Sequence, residues 1–408
     1  MPAIDVAATS TFLDPEDMER TFRGELHGCY LYSRHSNPTV MMFGRKLAAL
    51  EGMEAAIGVA SGMAAISCTL EQLIPGKGHI VSSRMVYGGT YALLANIFPG
   101  RNITTTFVDE NDITAFEKAI TPDTKVIYTE SVSNPLLDVC NLKGLSEVAK
   151  NHGLTLVVDN TFTPLIISPA KFGADVVVHS CTKYVSGSSD MIAGAIVGSQ
   201  KFIDSLIDVN SGVAMLTGPV MDARIAHELY LRLDHLPIRM AAHSKCGEYL
   251  ARKMEAEHIP AIYPGLENHP QHELMASMMN PHSGYGGMVT VDCGTHAKAL
   301  RLAQRLQEEQ FGLYAVSLGY SRTLMSLPAS STSSEIPEEA RKEMGLSEGL
   351  WPARASAATI PYERCCIVEP EVPDPTGPPP PPHPAIERSN DKKRAWTKHV
   401  MTLRMESF

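Results

Sequence analysis

The segment from Asp175 to Tyr184 reads Asp-Val-Val-Val-His-Ser-Cys-Thr-Lys-Tyr and joins a buried strand to a reactive side chain. Its three consecutive valines predict a strand that is apolar on both faces, as in a parallel sheet covered by helices. The strand leads to the hydroxyl groups of Ser180 and Thr182 and to the amine of Lys183. Burial disfavours the charged form of a lysine, and the neutral amine can form a Schiff base with an aldehyde cofactor. A lysine that only reaches solvent from the strand end is the alternative.

A second strand of the same kind ends at Asp159, directly after Leu156-Val157-Val158. A cofactor with a pyridine ring, such as pyridoxal 5′-phosphate (PLP), needs an acid beside the ring nitrogen, because the protonated ring is an electron sink. A turn residue or a helix N-cap is the alternative for an isolated aspartate. Lys183, about one βα unit further along the chain, favours the cofactor interpretation.

The segment from Ser61 to Ile66 opens an apolar helix with small residues. Free N–H groups and the positive end of the helix dipole make such a start an anion site. Gly62 lets a phosphate approach the backbone closely, and Met63 follows it. A plain N-cap is the alternative.

Other candidate residues lie beside these segments or well before them. Tyr87 follows a predicted strand, and its ring could stack on a cofactor ring or belong to the core. Asn134 follows another strand and could form a hydrogen bond with a phenolate oxygen of the cofactor. Tyr32 and Arg34 make a suitable phosphate clamp. Because they precede the sheet, we expect them to act on a neighbouring subunit.

Short β-branched runs alternate with helical patterns from about residue 55 to 200. This alternation predicts an α/β domain with a mostly parallel sheet that binds its ligand at the carboxyl ends of the strands. The predicted strands are His79–Ser82, Ile103–Val108, Lys125–Thr129, Leu154–Val158, Asp175–His179 and Ala195–Gly198, and the helices between them include Ile113–Ile120 and Leu142–His152.

Changes in composition and residue pattern along the chain predict four regions. We expect an N-terminal arm at 1–36, with a short helix at Pro15–Phe22, and a large cofactor-binding domain at 37–220. A smaller α+β domain is predicted at 221–350, and it begins with a long helical stretch from Asp222 to Arg252. The remainder, 351–408, contains five consecutive prolines and is predicted to be a disordered tail, with a proline-motif ligand as the alternative.

The composition is that of an ordinary globular protein, with 44% apolar and 20% charged residues in 408. A net charge of −10 argues against a nucleic-acid or membrane-surface partner, since there is no basic stripe. None of the eight cysteines forms a C-x-x-C pair, so we expect reduced, buried thiols and no metal site. No apolar run approaches the roughly 20 residues of a membrane span, and the start carries no signal-type pattern, so a cytoplasmic protein is expected.

Over residues 8–350, these segments together resemble the Cys/Met-metabolism family of PLP-dependent enzymes, in the family's order and spacing. The resemblance implies the aspartate-aminotransferase-like PLP transferase fold and a sulfur-containing amino acid as substrate. It implies that Lys183 binds PLP covalently, Asp159 pairs with the ring nitrogen, Tyr87 stacks on the ring and Asn134 contacts its phenolic oxygen. It also implies a homotetramer built as a dimer of active-site dimers. In this arrangement Gly62, Met63, Ser180 and Thr182 hold the phosphate, with Tyr32 and Arg34 of the neighbouring subunit.

One branch of the family, the plant-type methionine γ-lyases, is similar in further segments, including Ala315–Tyr320, Thr323–Ser326 and Ser330–Glu335. That branch implies γ-elimination of L-methionine, with Lys183, Asp159 and Tyr87 as catalytic residues and Ser317 at the substrate. Two alternatives stay open: a transsulfuration enzyme acting on cystathionine or an O-acylated homoserine, and a PLP-binding homologue with impaired catalysis.

The sequence departs from the family at its C-terminal side. The family closes with a Gly-Leu-x-Arg-x-Ser-x-Gly strand, whose arginine binds the substrate carboxylate, and a final helix. Here Gly349-Leu350 is followed by Trp-Pro-Ala-Arg, so that Arg354 lies two residues out of register. We therefore expect the final strand and helix to be missing, with Arg354 as a weak substitute for the carboxylate ligand. A one-base shift of the reading frame at Leu350 would permit the family's pattern, so the tail is either a frameshift product or genuine. Smaller departures are Gly89, where bacterial methionine γ-lyases have cysteine, and Gly187-Ser188, where the family has Gly-His.

Overall fold

The large domain is built on a seven-stranded sheet with helices on both faces, as seen in a computed structural model. The structure describes residues 3–26, 28–328, 336, 339 and 341, and the backbone of 350–354. The sheet has the order β1-β7-β6-β5-β4-β2-β3. Its strands are β1 (Ala55–Val59), β2 (Gly78–Ser83), β3 (Ile103–Val108), β4 (Thr124–Glu130), β5 (Thr155–Asp159), β6 (Val176–His179) and β7 (Gly194–Gly198).

Five neighbouring strands of this sheet, β6, β5, β4, β2 and β3, run parallel, and β7 lies antiparallel between β6 and β1. The predicted α/β fold is thus confirmed. Alternate valines of β5 and β6 enter the two cores on opposite faces: Val158 and Val177 on one, Val157 and Val178 on the other. This two-sided burial explains why the sequence has continuous apolar runs here rather than alternating ones.

The first strand, Ala55–Val59, was not among the predicted strands. Its sequence Ala-Ala-Ile-Gly-Val is poor in β-branched residues, so local propensity does not mark it. It forms because β7 offers it a complete antiparallel register from Ala55–Gly198 to Val59–Gly194, and all five of its residues are buried.

The helices follow the predicted pattern with one correction. The predicted helix Pro15–Phe22 forms, and the side chain of Asp14 caps it by accepting from the Glu16 N–H. The predicted continuous stretch from Asp222 to Arg252 is interrupted by a 3₁₀ turn at Leu233–His235, because Pro237 fits only the first turn of a new helix. The helices are α1 (Pro15–Phe22), α2 (Pro38–Glu51), α3 (Gly62–Leu73), α4 (Gly88–Ala92), α5 (Ile113–Lys118), α6 (Leu142–His152), α7 (Gln200–Leu206), α8 (Val213–Thr217), α9 (Ala223–Arg232), α10 (Leu236–Ala256), α11 (His272–Met278) and α12 (His296–Glu308).

A second, smaller sheet follows α10, with the order β10-β11-β12-β9-β8. Only β10 and β11 pair in parallel; the other three pairs are antiparallel. Its strands are β8 (Ala261–Ile262), β9 (Met288–Asp292), β10 (Leu313–Tyr314), β11 (Leu324–Met325) and β12 (Leu350–Arg354).

The strand β12 corrects the expectation that a closing strand is missing. Its backbone pairs with β9 over five residues and with β11 over two, so it is an internal strand. The strand was expected to be missing because Trp-Pro-Ala-Arg departs from the family's closing pattern and a proline-rich tail follows. Pro352, opposite Thr290, also has no N–H to donate to a neighbouring strand. The edges of β9 and β11 supply the pairing that the local sequence does not favour. The predicted tail from 355 onward and the Ser330–Glu335 segment lie outside the described residues, and the domain limits and the lost reading frame stay predictions.

Within the described part of the chain, no helix combines the length and apolar character that a bilayer crossing requires.

Candidate active site

Lys183 lies in the loop after β6, where a residue of the small domain reaches it. The backbone N–H of Lys183 donates to the Ser180 carbonyl at 3.1 Å. Its Nζ donates to the hydroxyl of Ser317 at 3.4 Å, and Ser317 lies between β10 and β11. The two domains therefore meet at the predicted reactive amine, and the structure brings together two of the predicted site residues.

Gly319 holds the same small-domain loop against the lysine segment. Its φ is +78°, a conformation that side chains with a Cβ rarely adopt. A Cβ added there would lie 2.5 Å from the Tyr184 nitrogen and 2.7 Å from the Lys183 carbonyl carbon. Only glycine allows this approach. The sequence interpretation assigned no role to Gly319. The signal was present, because a glycine in the turn Leu318-Gly319-Tyr320 is typical of a positive φ.

The predicted phosphate residues come from two elements that touch. A Cβ on Gly62 would lie 2.7 Å from the Ser180 Cβ, so the start of α3 packs directly on the end of β6. The N–H groups of a first helical turn have no acceptor within the helix, so the start of α3 offers donors to an anion. Ser61 caps the helix by accepting from the Ala64 N–H at 3.1 Å. The hydroxyl of Thr182 accepts from the Ala193 N–H at 3.0 Å.

Asp159 ends β5 and is 8% exposed. Its Oδ1 accepts from the Thr161 N–H at 2.9 Å, and its Oδ2 accepts from the Tyr128 hydroxyl at 3.5 Å. Burial raises the pKa of Asp159, while the hydrogen bonds from Thr161 and the charge of His179 oppose this shift. A cation next to this carboxyl would favour its ionised form, as the protonated nitrogen of a pyridine ring does.

Tyr87 stands at the start of α4 with 43% of its side chain exposed. Its backbone N–H donates to Oε1 of Glu130 at 2.6 Å. A Cβ on Gly89 would lie 2.6 Å from Tyr87 Cε1 and 3.3 Å from the sulfur of Met63, so these three residues adjoin. The sequence interpretation gave Glu130 no role, although an apolar strand ending in a carboxylate is the same signal that identified Asp159.

Asn134 is 5% exposed, and its Oδ1 has no hydrogen-bond partner among the described residues. Buried polar atoms are nearly always satisfied, and the two ends of an amide exchange by a simple flip. The orphaned amide, the Gly62–Ser180 junction and the buried carboxyl of Asp159 fit the ring oxygen, phosphate and ring nitrogen of PLP.

Tyr32 and Arg34 lie apart from this group, beside α8. Arg34 Nη1 donates to the Met215 carbonyl at 2.7 Å, and the guanidinium lies 5.7 Å from the ring centre of Tyr32. Their expected role in a neighbouring subunit stays a prediction. The backbone of Arg354 lies opposite Leu324 and Met288; its side chain is outside the described part of the structure.

Two arginines that the sequence interpretation missed anchor the loop after Lys183. Arg239, in α10, donates to the carbonyls of Tyr184 and Val185, the latter at 3.0 Å. Arg232, at the end of α9, pairs with Asp190 at 2.7 Å. Burial and the nearby Arg232 lower the pKa of Arg239 to about 10. The break between α9 and α10 brings both side chains to one loop.

Comparisons with known proteins show the family of this chain. The family model for Cys/Met metabolism PLP-dependent enzymes matches residues 2–354. The chain belongs to this family. PLP is therefore its cofactor, and the PLP transferase fold is confirmed.

Two curated relatives and one solved structure place the enzyme within the family. Methionine γ-lyase of Arabidopsis thaliana is 48% identical over 354 residues, which cover 85% of this chain and 80% of that protein. Cystathionine γ-lyase of Bacillus subtilis is 37% identical, with coverage of 79% and 84%. A crystal structure of a putative O-acetylhomoserine (thiol)-lyase from Campylobacter jejuni, with N′-pyridoxyl-lysine-5′-monophosphate, matches with a TM-score of 0.82 and 26% identity. It covers 87% of this chain and 91% of that one.

Proposed function

We propose that this enzyme catalyses γ-elimination of L-methionine, in which one water is consumed and methanethiol, 2-oxobutanoate and ammonia are formed. The observation that carries the proposal is the 48% identity to a plant methionine γ-lyase over 85% of the chain. The residues around Lys183 supply groups suited to removal of the Cα proton and to protonation of the departing sulfur; a second deprotonation, at Cβ, precedes the departure of the sulfur.

Lys183 is the base that removes the proton from Cα of the substrate, and Ser317 orients its amine through their 3.4 Å hydrogen bond. Bound PLP supplies the electron sink for the charge that develops at Cα. Asp159 holds the proton on the ring nitrogen. Tyr87, exposed beside Met63 and Gly89, delivers a proton to the departing sulfur.

Gly62, Met63, Ser180 and Thr182 bind the phosphate from one subunit, and Tyr32 and Arg34 bind it from the next, in a dimer of active-site dimers. The exposed position of Tyr32 on the N-terminal arm supports this arrangement. The buried cysteines Cys68, Cys140 and Cys181, which form no disulfide, support a reducing compartment, the cytoplasm.

The shared site has a direct test by mixing subunits. Arg34→Ala and Lys183→Ala proteins are defective in different halves of one site, so reassembled mixtures should regain part of the activity. Activity no greater than the sum of the two parents would place Arg34 in its own chain's site.

The reaction is tested by measuring 2-oxobutanoate from methionine, cystathionine and homocysteine in parallel with the purified protein. Preference for methionine supports the proposal. Preference for cystathionine would replace it with transsulfuration, which the similarity to the Bacillus subtilis enzyme favours. Visible cofactor absorbance without product from any substrate would identify an impaired homologue.

A further inference from the structure

Glu130 and Asp159 form a pair of buried carboxyl groups on one face of the large sheet. Strands β4 and β5 are parallel neighbours, and Glu130 lies opposite Asp159 in their register. The two residues are 7% and 8% exposed. Tyr128, two residues before Glu130, shares this face and donates its hydroxyl to Asp159 at 3.5 Å.

Glu130 has a structural task that does not require a charge. Its Oε1 accepts from the Tyr87 N–H at 2.6 Å, directly before α4. The Tyr87 side chain makes no capping hydrogen bond to α4, so the Glu130 contact fixes the backbone that carries the Tyr87 ring. A carboxylic acid accepts this bond through its carbonyl oxygen, and the amide of a glutamine would do the same.

Two ionised carboxylates at this spacing and burial repel each other, so one proton belongs to the pair. Burial, followed by the charge of Asp159, raises the pKa of Glu130 well above its ordinary value, and Glu110 adds to this shift. Asp159 has the better support for a charge, because the Thr161 N–H donates to it and His179 favours its ionised form.

We propose that Glu130 is a positioning residue that works as a neutral carboxylic acid: it holds Tyr87 by its backbone and leaves Asp159 as the negative charge of the pair. This inference rests on the proposed function, because it takes Asp159 to face the ring nitrogen of PLP. A charged Glu130 would add a second negative charge at the same ring and change the proton affinity of every group that contacts it.

The test compares Glu130→Gln with Glu130→Ala in the full-length protein with PLP. The visible absorbance of bound PLP is titrated over about pH 6–9, and PLP affinity is measured by fluorescence. Glu130→Gln should keep the midpoint of the titration within about 0.3 units and the affinity within about threefold, because neither charge nor acceptor is lost. Glu130→Ala should bind PLP at least about tenfold more weakly, because Tyr87 loses its anchor. Glu110→Gln is the matched control, since Glu110 accepts from Met85 rather than Tyr87, and it should keep both properties.

A midpoint shifted by about one unit or more in Glu130→Gln would show that Glu130 is charged and overturn the inference. A native-like PLP affinity in Glu130→Ala would show that Glu130 does not position Tyr87. If Glu130→Gln fails to fold, infrared spectra of the Glu110→Gln protein with and without Asp159→Asn decide the matter. A protonated carboxyl band at neutral pH that survives Asp159→Asn is expected, and a band that is absent or is lost with Asp159 overturns the inference. A wild-type protein that binds PLP but forms no 2-oxobutanoate contradicts the proposed function and leaves these comparisons intact.

Discussion

The two sheets of this enzyme differ in how strongly their sequences specify them. The large sheet has strands of four to seven residues, which are mostly buried except for the edge strand β3. Its strand ends carry Asp159, Glu130 and the Lys183 loop. The small sheet has three strands of only two residues, and a proline lies inside its central strand. The proposed cofactor site is therefore built on the strongly specified sheet. The small sheet contributes a loop that reaches the lysine. Substitutions in the small sheet should therefore lower turnover more than they weaken cofactor binding.

The largest expected effect lies on the large-sheet side. Lys183→Ala removes the amine that we propose binds PLP covalently, so borohydride should trap no PLP on the chain and turnover should fall at least about 10³-fold. The control is Lys171→Ala, since Lys171 is an exposed lysine bonded to Asn280. Cofactor trapped on Lys171 in the Lys183→Ala protein would contradict the site assignment.

The contact between the two domains should give the next largest effect. Gly319→Ala places a Cβ within 2.7 Å of the Lys183–Tyr184 peptide at a φ of +78°. We expect about a 10²-fold loss of kcat with PLP still bound, because the lysine segment must shift. Gly294→Ala is the matched control: its φ is +74°, but nothing lies within 4 Å of the added Cβ. It should lose only about 1–2 kcal/mol of stability. Equal activity losses in the two variants would refute the role of close contact.

The carboxyl groups of the large domain should make stability depend on pH. Burial raises the pKa of Glu110 from 4.5 to about 7. Between these values the folded protein keeps a proton that the unfolded chain has lost, so the free energy of unfolding falls as the pH rises. Glu110→Gln removes this slope and should gain about 1–3 kcal/mol over wild type between about pH 5 and pH 8. Denaturant unfolding at both pH values measures the gain, and the exposed Glu147→Gln should show none.

The smallest expected effect concerns the closing strand. Pro352 pairs with Thr290 of β9 and has no N–H to donate, so Pro352→Ala should raise stability by about 1 kcal/mol. Pro122→Ala, in an exposed turn, serves as the control and should give no gain. A destabilised Pro352→Ala protein would mean that the proline stabilises this strand.

The sequence predicts the large sheet better than the small one for a physical reason. Valine runs such as Val176-Val177-Val178 indicate a buried strand from the local sequence alone. The hydroxyl, amine and carboxyl groups that follow such runs predict the candidate site. Two strands, Ala55–Val59 and Leu350–Arg354, form because neighbouring strands pair with them. Local propensity does not reveal such pairing. Gly319 was missed for a related reason, since its importance comes from a residue over a hundred positions away along the chain.

The hydrogen bonds from Arg239 to the loop after Lys183 couple the two domains. Helix α10 has 21 residues and is about 30 Å long, and in its first turn Arg239 donates to the Tyr184 and Val185 carbonyls. The first turn of this helix is thus hydrogen-bonded to the lysine segment, and the rest of the helix belongs to the small domain. Rotation of the small domain towards the substrate would pull on the peptide groups next to Lys183, so that domain closure and the placing of the amine become one movement.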